Sequence, residues 1–255
     1  PYTTLFRSAK AVMPILECIK IDASGDGNVV VTGNNLDLCI EYNAKCNVSE
    51  GGSVALASRM LGEIVRSMPD GNVTVSVDET NYITKIESGQ SKFNIQGLSS
   101  NEYPAAPILD EKFVFTLTQN ILKKLIRKTI SFISLNEGKK PVLTGALFEI
   151  KNGTLNVAAS DGHRLAVVRE ELNENVNDAK FVIPRTTLNE LSKILKDEDE
   201  PVKIIVSDRH VMFDFNDFQV YTRLLDGDFL NYEAIISVVN TISVVVDKRV
   251  LTDRS

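Results

Sequence analysis

Lys140-Pro141-Val142-Leu143-Thr144-Gly145-Ala146-Leu147-Phe148-Glu149, followed after a turn by Val157-Ala158-Ala159-Ser160-Asp161-Gly162-His163-Arg164-Leu165-Ala166-Val167, is the stretch whose reading decides the fold. Val142 to Ile150 and Leu155 to Ala159 are apolar-rich runs of strand length, separated by Lys151-Asn152-Gly153. Asp161-Gly162 marks a tight turn, because glycine adopts positive φ without a Cβ clash. The spacing predicts strand, strand, turn, strand, with Ser160 to Leu165 on the rim of a sheet.

Working outward, the pattern is written twice. Met13-Pro14-Ile15-Leu16, Gly27 to Thr32 and Asn34-Asn35-Leu36-Asp37 return, 126 or 127 positions later, as Lys140-Pro141-Val142-Leu143, Gly153 to Ala158 and Ser160-Asp161-Gly162-His163. Val54 to Ile64 matches Phe181 to Leu191 as a strand running into a helix, Asn72 to Val77 matches Pro201 to Val206, and Phe93 to Leu98 matches Val220 to Leu225. A period this long suits a duplicated domain rather than a solenoid unit. Tyr103-Pro104-Ala105-Ala106-Pro107 reads as the linker. The first copy lacks an opening strand and helix, and Ser243 to Leu251 parallels Phe113 to Leu122 closely enough to predict the first strand of a third copy. The fold class expected is α+β: similar domains, each with an antiparallel sheet on one side and two helices on the other.

The 255 residues suffice for two domains with their own cores, and 43% hydrophobic with 24% charged is an ordinary globular composition. A net charge of −6 excludes a surface that coats nucleic acid all over, but leaves room for one basic stripe. Cys18, Cys39 and Cys46 show no metal spacing and are expected to be reduced thiols in a cytosolic protein. No run reaches the roughly 18 apolar residues of a membrane span. Pro1 to Ser8 and Arg254-Ser255 look like translated sequencing adapter, so residues 1–8 are set aside.

After the linker, Thr118 is placed to cap a helix from Gln119 to about Ser134. Ile121, Leu122, Leu125, Ile126, Ile130 and Ile133 make its apolar face, and Lys123, Lys124, Arg127 and Lys128 fall opposite. With Lys139 and Lys140 they set a local positive charge against Glu137 alone. No aromatic residue interleaves these cations, so contact with the backbone phosphates of a duplex fits better than base stacking. A solvated helix face is the bland alternative.

Asp161 and His163 offer an acid/base pair, the basis of a rival reading as a cytosolic hydrolase. The supporting groups are missing: there is no Gly-x-Ser-x-Gly elbow or Walker loop, and His210 is the other histidine of two. Asp22-x-Ser24-x-Asp26-Gly27 meets Gly33 where a calcium loop needs glutamate. No catalytic residue, metal or cofactor is expected.

One resemblance joins these blocks. Pro-Val-Leu-x-Gly-x-Leu-Phe-Glu at 141–149, Ala-Ser-Asp-Gly-His-Arg-Leu-Ala at 159–166, Phe181-Val182-Ile183-Pro184-Arg185-x-x-Leu188 and Arg223-Leu224-Leu225-Asp226-Gly227-x-Phe229-x-Asn231-Tyr232 resemble, in order and spacing, the middle domain of the bacterial DNA sliding clamp, the beta subunit of DNA polymerase III. The likeness covers roughly residues 9–251. It implies three such domains per subunit and two subunits head to tail around duplex DNA, with helices lining the hole and sheets outside. The domains would be 9–108, incomplete at its start, 109–238, and 239–255 as the start of a third.

The same resemblance implies DNA-facing roles for Lys123, Lys124, Arg127, Lys128, Lys139, Lys140, Arg185, Lys193, Arg59 and Arg66. It implies a peptide-binding cleft at Leu143, Ser160, Gly162, His163, Arg164, Leu165 and Ile236. The implied partners are duplex DNA, the catalytic subunit of DNA polymerase III, the clamp loader and other proteins bearing clamp-binding motifs. A homodimer is implied at full length, and these residues alone are not expected to close a ring. Leu230 and Ser237 stand where the family usually carries proline. A DNA-binding module without ring closure is the second rival.

Overall fold

The computed structural model describes residues 13–136, 138, 140–172, 176–236, 242, 244–247 and 249. The first repeat opens with a 3-10 turn, Pro14–Glu17, and continues through β1 (Cys18–Ala23), β2 (Asn28–Asn34), β3 (Leu38–Lys45), β4 (Gly52–Ala57), α1 (Ser58–Ser67), β5 (Thr74–Val77), β6 (Ile83–Ser88) and β7 (Ser91–Leu98). The second runs β8 (Phe113–Thr118), α2 (Gln119–Thr129), 3-10 turns Ile130–Phe132 and Pro141–Thr144, β9 (Gly145–Lys151), β10 (Thr154–Ser160), β11 (Leu165–Glu171), β12 (Ala179–Pro184), α3 (Arg185–Ile194), β13 (Pro201–Val206), β14 (His210–Asp214), β15 (Phe218–Arg223) and α4 (Tyr232–Ile236). The duplication is therefore structural: the order from the proline-led turn through three strands, a fourth strand, a helix and three more strands occurs twice. Among the described residues no helix is long and apolar enough to cross a membrane.

The strands pair antiparallel in two sheets, ordered β5-β6-β7-β4-β1-β2-β3-β15-β14-β13-β8 and β11-β10-β9-β12. The larger sheet crosses from one repeat to the other where β15 joins β3, with Phe218 opposite Tyr42 and Thr222 opposite Leu38. Inside the second repeat the two sheets enclose the main core together with α2 and α3. Phe115, Phe148, Phe213, Leu122, Leu125, Ile183 and Leu188 are fully buried there, each contributing about 1.5–3 kcal/mol by leaving water. The alternation of β9 explains its place: Ala146, Phe148 and Ile150 enter this core, while Leu147 joins a second cluster on the other face with Val142, Ala158, Val182 and Tyr232.

Some expectations shift. The strand expected from Val142 begins only at Gly145, because Pro141 starts a helical turn that Thr144 closes by donating to the Pro141 carbonyl at 2.7 Å. Gly145 sits so close to the Ile183 carbonyl and the Leu225 side chain that a Cβ has no room there. The helix expected to reach Ser134 stops at Thr129, whose hydroxyl turns back onto the Leu125 and Ile126 carbonyls at 2.9 and 3.3 Å. The cap holds: Thr118 Oγ1 accepts from the Ile121 N–H at 3.4 Å. The strand expected over Ser243 to Leu251 falls partly outside the described residues, and Val244 to Asp247 have no regular structure. Among the described residues no strand pairs with Val244 to Asp247, and Val245 is 98% exposed. Residues 1–8, set aside on sequence, lie outside the described residues.

Candidate functional site

The turn between β10 and β11 is built by its own carboxylate. Asp161 Oδ1 accepts from the His163 and Arg164 N–H groups at 3.0 and 2.9 Å, and Oδ2 accepts from the Arg164 guanidinium at 3.0 and 2.9 Å. Gly162 takes φ +90° and donates to Ser160 Oγ at 3.1 Å. These bonds, led by the two backbone donors, hold the Asp161 carboxyl well below the usual carboxylate range. Asp161 is therefore committed to the turn and is a poor proton acceptor. Asp161 Oδ1 accepts from the His163 backbone N–H, and among the described residues Asp161 and the His163 ring do not form the acid/base pair on which the hydrolase reading rests. His210 lies elsewhere, beside Tyr221 and Arg223 near the junction of the repeats.

Around this turn Leu143, Asp161, His163 and Arg164 line a hollow of about 640 Å³ whose other walls include Ile133, Lys140 and Arg185. Arg164 crosses to the Ser131 carbonyl at 3.3 Å and lies over the Phe132 ring, 5.4 Å from its centre. On the other side, Leu143 and Leu165 pack with Val167, Leu225, Phe229 and Leu230 against the second cluster. The structure thus brings Leu143, Ser160, Gly162, His163, Arg164 and Leu165 to one rim. Ile236 stands apart from that cluster, exposed at the end of α4. Phe229 and Val167 were missed on sequence. Their strands and loop showed no periodic signal pointing at Leu143, and only their packing connects them.

The basic residues divide. Lys123 pairs with Asp197 at 2.8 Å and Lys124 with Glu170 at 3.2 Å, so half of the expected stripe meets carboxylates. Arg127 and Lys128 are exposed and have no ion pair among the described residues. Arg185 is structural as well as cationic: its Nη1 donates to the Ile130 and Ile133 carbonyls at 2.9 and 3.2 Å, satisfying groups freed where α2 ends. Lys193 pairs with Glu190 at 2.7 Å and Arg59 with Glu63 at 3.0 Å, while Arg66 and Lys140 are exposed. Lys139 lies outside the described residues. No group of histidine, cysteine and carboxylate side chains among the described residues is arranged to hold a metal.

The model of the N-terminal domain of the DNA polymerase III beta subunit matches residues 6–107, and that of its central domain matches residues 116–231. The chain belongs to the DNA polymerase III beta-subunit family. Among beta-subunit relatives, the beta sliding clamp of Halalkalibacterium halodurans is 38% identical over 233 residues, covering 87% of this chain and 60% of the relative. That of Bacillus subtilis is 35% identical over 238 residues, covering 90% and 62%. The crystal structure of a putative DNA polymerase III beta subunit from Eubacterium rectale superposes with a TM-score of 0.86 at 35% identity, over 90% of this chain and 62% of that one. The sliding clamp of Bacillus subtilis gives 0.85 at 33% identity, over 92% and 63%. The chain thus spans about 60% of the length of the beta-subunit relatives it matches. The duplicated α+β fold read from the sequence is the fold of these beta subunits.

Proposed function

We propose that this chain supplies two domains of a sliding clamp, a ring that encircles duplex DNA and tethers the replicative polymerase and other replication and repair proteins to it. The observation that carries the reading is the joint between β15 and β3. It is head to tail, since the last strand of one repeat pairs with the third strand of the repeat before it. The second repeat's own counterpart of β3 is β11, an open edge among the described residues. A joint of this kind, repeated, closes into a ring if the rotation per repeat allows. Ring closure would then require further domains and a second subunit, as a homodimer. The domain units proposed are residues 9–108 and 109–238, with 239–255 beginning a third.

Such a ring performs no bond-breaking step and needs no cofactor; it acts in the cytoplasm by topology. Arg127 and Lys128, with Arg66 and Lys140, are the exposed cations best placed to meet backbone phosphates, keeping the duplex centred by weak, sequence-blind contacts that permit sliding. Holding a polymerase on the same ring raises its effective concentration at the primer end. The rim of Leu143, Ser160, Gly162, His163, Arg164 and Leu165, with the apolar cluster beside it, suits short peptides with one or two large apolar anchors. The polymerase's catalytic subunit and the clamp loader are the partners proposed.

The test uses a chain of the relatives' full length that carries these residues, loaded onto nicked circular DNA that is then cut once. Retention on circles and release after linearisation is the expected result. Equal retention on both forms indicates a DNA-binding module without closure, and no retention on either removes the clamp reading.

A further inference from the structure

Glu149 is the one charged side chain buried among the described residues, and neither the DNA-facing cations nor the peptide rim uses it. It follows Leu147 on the outer face of β9, is 2% exposed, and stands directly opposite Lys180 of β12. Lys180 Nζ lies 2.6 Å from its Oε1, and the Tyr232 hydroxyl, 3% exposed at the start of α4, donates to its Oε2. Two residues along the same strand, Lys151 reaches Glu233 at 3.0 and 3.2 Å. Two neighbouring polar ties therefore fasten α4 to β9. Burial alone would push the Glu149 carboxyl up, but the Lys180 and Tyr232 hydrogen bonds outweigh it and hold the group below its ordinary value. A carboxylate kept charged out of water needs such partners.

What α4 carries makes the tie consequential. The chain from Leu225 to Tyr232 lays Leu225, Phe229 and Leu230 into the cluster that contains Leu143 and Leu165. Apolar contact is non-directional, so it holds these side chains in place without fixing their angle. A charge-assisted hydrogen bond supplies that direction. The first repeat closes differently. Its terminal tyrosine, Tyr103, donates to the Cys18 and Thr32 carbonyls at 3.0 Å each, and Asp22, the counterpart of Glu149, is paired with Lys20 at the surface. Closing the repeat thus needs no buried charge.

We propose that Glu149 is a positioning residue for the peptide cleft, its buried carboxylate orienting Tyr232 and through it the Phe229 and Leu230 wall that faces Leu143 and Leu165. The proposal rests on the reading of that rim as a peptide-docking site. It is tested by fluorescence anisotropy of the 255-residue chain with a short fluorescein-labelled peptide whose anchors are a Leu-Phe pair, alongside thermal unfolding of each variant. Tyr232→Phe and Glu149→Leu are expected to weaken binding roughly tenfold while remaining folded at the assay temperature, although Tyr232→Phe, which leaves one oxygen of a buried carboxylate unpaired, should lower the unfolding midpoint. Glu149→Gln, which keeps an oxygen to accept from Tyr232, should recover to within about threefold of the parent.

Parent-like affinity in Tyr232→Phe overturns the proposal, even if Glu149→Leu fails to fold. So does a Glu149→Gln no better than Glu149→Leu, or a loss of affinity that the unfolded fraction at the assay temperature accounts for. In each of those cases Leu143→Arg still abolishes binding and the cleft reading survives. If the parent does not bind, or Leu143→Arg binds as the parent does, the cleft reading itself is removed and the proposal with it.

Discussion

Leu36 occupies the place in the first repeat that Gly162 occupies in the second, and it takes φ 77° where Gly162 takes 90°. A branched side chain in this left-handed region strains the backbone, and Leu36 has little to lose in contacts because it is 60% exposed. Leu36→Gly is therefore expected to raise stability by about 0.5–1 kcal/mol after the greater freedom of the unfolded glycine is subtracted. Chemical denaturation checks it, and a lower midpoint refutes it. Asp161 carries a pH dependence. Its folded-state pKa is depressed by the turn's N–H groups, so its stabilisation is present above the unfolded value of about 3.9 and disappears as pH falls through the folded one. Asp161→Asn should be less stable than the parent at pH 7, and the gap should narrow progressively as pH falls below about 4. A gap that stays constant into acid would show that the charge is not what stabilises the turn. The sequence disclosed this turn, because Asp-Gly is a local signal. It did not disclose that the aspartate's oxygens were already occupied.

At the scale of elements, α2 shows how far periodicity reaches. The apolar stripe and the Thr118 cap were legible, since both follow from 3.6 residues per turn and the chemistry of the first turn. The end of the helix was not, because it depends on the Thr129 hydroxyl and on Arg185, more than fifty positions away, taking carbonyls of the following turn. Nor was the division of the basic stripe, since Asp197 and Glu170 come from other elements. That division makes a prediction resting on the clamp reading. Arg127→Ala with Lys128→Ala should weaken DNA binding and flatten its salt dependence by more than Lys123→Ala with Lys124→Ala, whose charges already meet carboxylates. Equal effects of the two pairs, in affinities measured across a salt series, would place the DNA elsewhere.

The whole molecule is organised by the junction of β3 with β15. Backbone amides paired across it should exchange with solvent as slowly as those inside either repeat, whereas the outward amides of β5 and β11, open edges among the described residues, should exchange at least a hundredfold faster. Rapid exchange along β3 would show that the joint opens and that the repeats behave independently. The junction was not legible in the chain. Linker composition marked where one repeat ends, but edge pairing between strands nearly 180 positions apart leaves no periodic trace in either.

The sequence by itself determined the duplication, the strand and helix types, the Asp161 turn and the family, because each is written in local spacing or in short blocks at fixed intervals. Only the tertiary structure decided which cations meet carboxylates, that Glu149 is buried against Tyr232 and Lys180, and that the repeats share one sheet. Those outcomes depend on groups far apart in the chain meeting in space. Ion pairing, burial and edge hydrogen bonding act at a few ångströms, whatever the separation in sequence.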